Sequence, residues 1–266
     1  ATFTGTTPVD PSGDGGEFEG WVPSNTNITG DTNCKAQFAS ALEVAKITDS
    51  WDEILASVAN GTYKQKYKVG NYKPLDLGET WGSVNMQIAG IDADDLADGS
   101  GKAPLTWISK NALKYGIRYN TESTSGDPPY TEGSGTIGGW EKCYLRAYLK
   151  NTLKPLIPEV VRNSIVNVTK SQTAYDTNSK SFTQTTQDDL WIPGFDEVSP
   201  YGKYKKLFPN NDSRKKSSYD GASVVWWRLR DATDKDYTRA VSYSGDYYQA
   251  SSANNNNSRI ALGFCT

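Results

Sequence analysis

Residues 223–266 read SVVWWRLRDATDKDYTRAVSYSGDYYQASSANNNNSRIALGFCT, an apolar start and an apolar finish around a middle dense in Tyr, Ser, Asp, Arg and Asn. Short apolar runs bounded by polar turns are the pattern of core strands. A surface rich in Tyr, Ser and Asn has the composition of a recognition face, because Tyr offers large contact area with few rotors to freeze and the short polar residues hydrogen-bond adaptably. The tail therefore predicts core strands that carry a binding surface. Trp226, Trp227, Leu229, Ile260, Leu262 and Phe264 are its core candidates, since an aromatic pair flanked by Val more often packs inside than forms a sugar platform. Residues 260–264 are expected to form a central strand, as an apolar segment at the end of a sequence stays ordered only when tied into a core.

The sequence has 266 residues, 36% hydrophobic and 12% aromatic, enough to bury a sizeable core. One main domain of about 200 residues with a small appendage fits the usual size range. A formal charge of −3 argues against a nucleic-acid partner, because phosphate-backbone binders carry a basic patch or stripe. Lys64, Lys66 and Lys68 do cluster, but alternating Lys on a strand reads as a solvated edge. Histidine is absent, which removes His-based triads, His general bases and imidazole zinc sites. Cys34, Cys143 and Cys265 are odd in number and far apart, so they read as buried thiols rather than as a disulfide framework or a metal site. No apolar run approaches the ~20 residues that span a bilayer, and the start ATFTGTTPVD is not a signal peptide, so no membrane insertion is expected.

Residues 1–40 differ in texture, rich in Thr, Gly, Pro and Asn, with strand candidates at 18–22 and 34–38. Asp10, Ser12, Asp14 and Gly15 mimic the first half of a calcium loop, but Trp21 stands where the bidentate Glu belongs, so the stretch reads as a turn. A helix over 50–60 is well marked: Ser50 and Glu53 form a capping box, Trp51, Ile54, Leu55 and Val58 share a face, and Gly61 ends it. Strands are expected at 62–69, 84–92 and 105–109, and residues 121–139 read as a Gly/Ser/Pro loop. A second helix is expected over 140–153, with Tyr144, Leu145, Tyr148 and Leu149 as its apolar stripe. Pro155 closes it, and Pro158 opens a shorter helix to 165. The polar, Thr-rich stretch 167–187 reads as a protruding hairpin.

Two helices, a split set of strands and a returning C-terminal strand give an α+β class. The ordered motifs GGWEKCYLRAYLKNTLKPLIP, DDLWIPGFDEV, WWRLRDA and RIALGFC then add a resemblance over about residues 41–266. They are similar to a family of gut-bacterial and phage proteins related to the variable proteins of diversity-generating retroelements. That resemblance implies a C-type-lectin-like domain with two main helices and a small antiparallel sheet, in which a stable scaffold displays a hypervariable ligand-binding face near the C-terminus. Residues 1–40, through FEGWVPSNTNITGDTNCKAQF, resemble part of an internalin-type β-repeat of bacterial and phage surface proteins.

In the retroelement family, adenines of a template are copied with errors, so AAC-type codons diversify. Changes at their first two bases reach Tyr, Ser, Asp, Arg, Thr, Ala and Gly but not Lys, Gln, Glu, Met or Trp. Between Arg228 and Arg259 only Lys235 and Gln249 belong to the unreachable set, and the run Asn254, Asn255, Asn256, Asn257 looks like unaltered template. The variable region is thus placed at about 224–260. Arg228, Asp231, Thr233, Asp234, Tyr237, Arg239, Tyr243, Tyr247, Tyr248, Ser251, Asn254, Asn255 and Asn256 are expected to share one exposed face. There Tyr supplies contact area, Arg forked donors and Asp acceptors.

Catalytic signals are weak. Asp92, Asp94, Asp95, Asp98, Asp188 and Asp189 are candidates for glycosidase pairs or calcium ligands, but adjacent acids on a strand point to opposite faces, so they read as solvated turn acids. The EPN-, QPD- and WND-like ligands of calcium-dependent lectins are absent. The sequons at Asn27, Asn60, Asn167 and Asn211 carry no signal in an Asn-rich chain. The leading expectation is a non-enzymatic receptor-binding protein on a phage tail tip or bacterial surface. It needs no metal or cofactor and engages a host-cell or environmental ligand, protein or glycan. The competing expectations are a structural module whose tail face packs on a neighbouring domain, and a carbohydrate-active enzyme with an unrecognised carboxylate pair.

Overall fold

The structure, a computed structural model, describes residues 18–22, 35–38, 42–120, 135–253 and 258–266. The chain divides into two compact units, Ala1–Glu43 and Val44–Thr266. In the first, β1 (Phe18–Val22) and β2 (Lys35–Phe38) pair antiparallel, close to where the sequence puts them. The calcium-like turn, Asn27 and Cys34 lie outside the described residues.

The second unit is α+β. Ser50 opens α1 (Trp51–Ala59): the Glu53 backbone N–H donates to Ser50 Oγ at 3.2 Å, and the Ser50 N–H donates to Glu53 Oε2 at 2.7 Å. The box satisfies two of the N–H groups that every helix start leaves unpaired. Residues 62–69, expected as a strand, instead contain the short helix α2 (Tyr63–Lys66). Tyr63 and Tyr67, four apart, both point inward, and their hydroxyls donate to Asp92 and Asp49. Inward spacing of four is helical, so the burial of two tyrosines outweighs the alternating lysines. Lys64 and Lys66 pair with Asp92 and Asp49 rather than lining a strand edge.

Next come β3 (Tyr72–Asp76), the short helix α3 (Gly78–Trp81), β4 (Ser83–Ile91) and β5 (Leu105–Ser109). The expected helix over 140–153 is interrupted once, at the extended Cys143: a 3₁₀ turn at Trp140–Lys142 precedes it, and a helical run follows as α4 (Tyr144–Tyr148), a π turn at Leu149–Leu153 and a closing 3₁₀ turn at Lys154–Leu156. Cys143 starts α4 afresh, its Sγ accepting from the Arg146 N–H at 3.4 Å. Leu145, Leu149 and Leu153 fill the core, while Tyr144 and Tyr148 are half-buried. After α5 (Glu159–Ser164), β6 (Val168–Tyr175) and β7 (Ser181–Asp188) form the expected hairpin. It does not simply protrude: Val168, Lys170, Gln172, Ala174, Gln184, Thr186 and Asp188 alternate inward.

The remaining elements are β8 (Leu190–Trp191), α6 (Phe195–Val198), α7 (Asn211–Arg214), β9 (Lys216–Ser217), β10 (Val224–Val225), β11 (Trp227–Ala232), β12 (Tyr237–Val241), β13 (Tyr247–Ser252), β14 (Arg259–Ile260) and β15 (Gly263–Cys265). One sheet runs β3-β4-β5-β15-β8 and another β13-β12-β11-β14, while β9 pairs with β10. The stretch expected as a single central strand at 260–264 is two short ones. β14 runs parallel beside β11, and β15 sits between β5 and β8. Phe264 packs near the Trp107 ring at 6.4 Å, and Trp107 meets Trp51 edge-on at 5.1 Å. Gly263 is required here, because a Cβ at that position would lie 2.3 Å from the Trp191 indole. Trp226, assigned to the core from sequence, is only half-buried and meets the Tyr243 ring edge-on at 5.8 Å.

Candidate functional site

β11 is the floor of the site, and every one of its residues is buried. This corrects the expectation that Arg228 and Asp231 face outward. Arg228 is 0% exposed; its guanidinium donates to Thr238 Oγ1 and, at 3.0 Å, to the Ser252 carbonyl. Burial pulls its pKa down to about 10. Asp231 is 6% exposed and accepts from the Thr173 N–H at 2.9 Å and the Phe195 N–H at 2.6 Å. Burial pushes its carboxyl above the ordinary value despite the adjacent Arg230. The physical reason is that β11 is covered by its neighbours: β12 and β13 supply the partners of Arg228, while β6 and α6 close over Asp231 and supply its donors.

The rest of the expected face lies over β12, where Thr238 and Ala240 point inward and Tyr237 and Arg239 outward, the alternation of a half-buried strand. At one end of β12, Asp234 Oδ1 accepts from the Asp236 and Tyr237 N–H groups, both at 2.8 Å. This fixes a turn that leaves Tyr237 43% exposed and Thr233 half-buried. At the other end, Tyr243 is 61% exposed. There Asp246 accepts from Ser244 Oγ at 2.7 Å and from the Asn211 amide. Thus Thr233, Asp234 and Tyr237 gather at one turn and Tyr243, Asp246 and Tyr247 at the opposite one, with Arg239 between them. The side chains of Tyr248 and Ser251, and residues Asn254, Asn255 and Asn256, lie outside the described residues.

Sequence reasoning missed what holds this middle together. The Arg239 guanidinium lies 4.2 Å from the Phe195 ring, Phe195 meets Tyr247 edge-on at 4.8 Å, and the Arg214 guanidinium lies 4.5 Å from the Tyr247 ring. Tyr247 Oη donates to the Val198 carbonyl at 2.7 Å. Two cations thus bracket two rings, the arrangement that orients a guanidinium flat and pre-forms its donors. Among the described residues neither Arg239 nor Arg214 has a carboxylate within ion-pair distance, and Arg239 Nε and Arg214 Nη1 have no hydrogen-bond partner. Phe195 follows the WIPG turn and Arg214 ends the short helix α7, so no sequence period links them to β12.

Beneath β11 lies a charged centre, which corrects the reading of Asp94 as a solvated turn acid. Lys170 and Asp94 are both fully buried and 2.7 Å apart, and Glu197 is 2.9 Å from the same Lys170 Nζ. Arg230 donates to Glu197 Oε2 at 2.6 Å, to the Ile192 carbonyl at 2.8 Å and to Gln172 Oε1 at 3.1 Å. Burial raises the Glu197 carboxyl, but Arg230 and then Lys170 outweigh it and hold the pKa down to about 2. Asp94 is likewise held below the usual carboxylate range by Lys170 and Lys203 against the effect of burial. Asp188 is also buried, accepting from Arg146 at 2.5 Å and from Trp140 at 3.2 Å. It borders a polar cleft of about 430 Å³ that Glu141, Lys150, Asn151 and Asp189 also line. A second groove of about 340 Å³ runs along Trp81, Tyr115, Arg118, Tyr144 and Tyr148.

Residues 119–263 match the model of a family described as a domain of unknown function, DUF6273. The match covers more than half of the chain, which therefore belongs to that family. Neither a curated protein nor a solved structure matches it.

Proposed function

We propose that this member of the DUF6273 family is a non-enzymatic ligand-binding protein with a C-type-lectin-like scaffold. On this reading the turns flanking β12 and the outer face of β12–β13 display a hypervariable surface written by a diversity-generating retroelement. The protein is carried on a phage tail tip or a bacterial cell surface and engages a host-cell or environmental ligand, protein or glycan.

The observation that supports the reading is the separation of two layers within one segment. Residues 227–232, Thr238, Ala240 and Val241 are packed inside, while Thr233, Asp234, Tyr237, Arg239, Tyr243, Asp246 and Tyr247 line the turns or the outer face. Heavy substitution is tolerated where side chains leave the core untouched, since surface changes cost within ~0.5 kcal/mol and core changes several times that. The outward residues are of the types that altered AAC codons reach. Arg228 and Asp231 leave the variable set, because each satisfies buried groups of a second element.

Two measurements test this. Sequencing around the gene should show a near-identical repeat beside a reverse transcriptase, with adenines at the codons of the outward positions. Mismatches falling equally on residues 227–232, or no repeat at all, argue instead for a module whose tail face packs on a neighbouring domain. In a cell-binding assay against a panel of bacteria, replacing Tyr237 and Tyr243 together by Ser should abolish attachment and leave the melting temperature nearly unchanged.

A further inference from the structure

We propose that Lys170 and Asp94 condense in the folded protein into an amide between Lys170 Nζ and Asp94 Cγ, with Glu197 as the base. This rests on the charged centre alone and is independent of the ligand-binding reading. Lys170 points inward from β6, and Asp94 sits in the turn after β4, so two distant segments deliver the reactants to each other. Nζ donates to Asp94 Oδ1 at 2.7 Å, to Glu197 Oε1 at 2.9 Å and to Tyr204 Oη at 2.9 Å. The Trp191 ring centroid lies 3.5 Å from Nζ, and Tyr204 stacks on Trp191 at 6.3 Å. An amine held in contact with a carboxylate oxygen stands about 3–3.5 Å from its carbon, the distance of a near-attack geometry.

Each part of the step has a group in place. Glu197, kept ionised by Arg230 at 2.6 Å, relays one proton from the Lys170 ammonium to Asp94 Oδ1, so that a neutral amine with a free lone pair meets a neutral carboxyl and attacks its Cγ. Charge then gathers on Asp94 Oδ2, which accepts from Thr106 Oγ1 at 2.6 Å and from Tyr204 Oη at 2.7 Å. Preorganised donors aimed at a developing oxyanion are the strongest single aid to such a step. Oδ1, already carrying the relayed proton, takes a second from the nitrogen and leaves as water as the amide forms. Lys203 Nζ, 3.1 Å from Oδ1, steadies the departing oxygen. One ammonium and one carboxylate become one amide and one water, their charges cancel, and Glu197 is regenerated, so no co-reactant is required. The step also removes two charges that are costly to keep away from solvent.

Intact-mass spectrometry of the purified, denatured wild-type chain tests the proposal. The expected mass is lower than that of the sequence by one water, and digestion yields a branched peptide joining the segments around residues 94 and 170. Lys170→Arg and Asp94→Ala should each restore the full mass, and Glu197→Gln, which keeps both reactants, should leave them unlinked. A wild-type chain of full mass with both peptides recovered separately overturns the proposal, whether or not any variant folds. So does a water loss that maps elsewhere, while linkage at an undiminished rate in Glu197→Gln removes Glu197 from the step.

Discussion

Lys216 offers the sharpest test of how this interior is held. Its side chain is buried, donating to the Ser109 carbonyl at 2.5 Å and the Lys110 carbonyl at 3.2 Å, with the Trp227 ring centroid 5.1 Å from Nζ. With carbonyl dipoles but, among the described residues, no carboxylate within ion-pair distance, burial pulls its pKa from the ordinary 10.5 down to about 7. At roughly 1.4 kcal/mol per unit, keeping the ammonium folded below pH 7 costs on the order of 5 kcal/mol relative to the neutral amine. Between pH 7 and 10.5 the unfolded chain binds more protons at this position than the folded one, so stability rises with pH across that window. Lys216→Met removes the charge but leaves two carbonyls unpaired, a pH-independent cost of about 1–3 kcal/mol. Urea unfolding of both proteins at pH 6, 8 and 10 should show the variant gaining most at pH 6 and losing that advantage by pH 10. A difference between the two that does not change with pH would refute the assignment of a neutralising, buried amine.

Two further outcomes are expected from the same packing. Trp227, fully buried with its Nε1 donating to the Arg214 carbonyl at 3.0 Å, should cost about 3–5 kcal/mol when cut to Ala, whereas Tyr243→Ser should stay within ~0.5 kcal/mol. Chemical denaturation of the two variants side by side checks the contrast. Glu197, held down to about 2, contributes stability that is present above its unfolded value near 4.5 and is lost as pH falls toward 2. Glu197→Gln should therefore flatten the acid limb of the stability profile between pH 4.5 and 2, as read by melting temperature.

The part of the fold legible in the sequence was local. The capping box of α1, the apolar runs of β4 and β5 and both ends of the β6–β7 hairpin depend on residues a few positions apart, and they form as read. The part that was not legible depends on partners far along the chain. Arg228 and Asp231 read as surface residues because Arg and Asp are among the types that altered AAC codons reach and that a recognition face uses. They are buried because Ser252, Thr173 and Phe195 meet their polar atoms, and no period in the sequence joins those positions. The Lys170 centre escaped for the same reason, since Asp94 lies 76 positions away and Glu197 27. Tyr63 and Tyr67 did carry a helical spacing that the neighbouring lysines disguised.

The parallel pairing of Trp227 with Arg259 and of Arg228 with Ile260 turns the outward segment into a closed excursion that leaves the scaffold and returns to nearly the same point. Because the return is clamped at its base and Gly263 packs against Trp191, the exposed turns at Asp234 and Tyr243 reach the five-stranded sheet only through the buried residues of β11 and β12. On the proposed reading, inheritance divides into two parts: a buried scaffold that must be copied faithfully, and exposed turns at Asp234 and Tyr243 whose residues variation can rewrite at little cost.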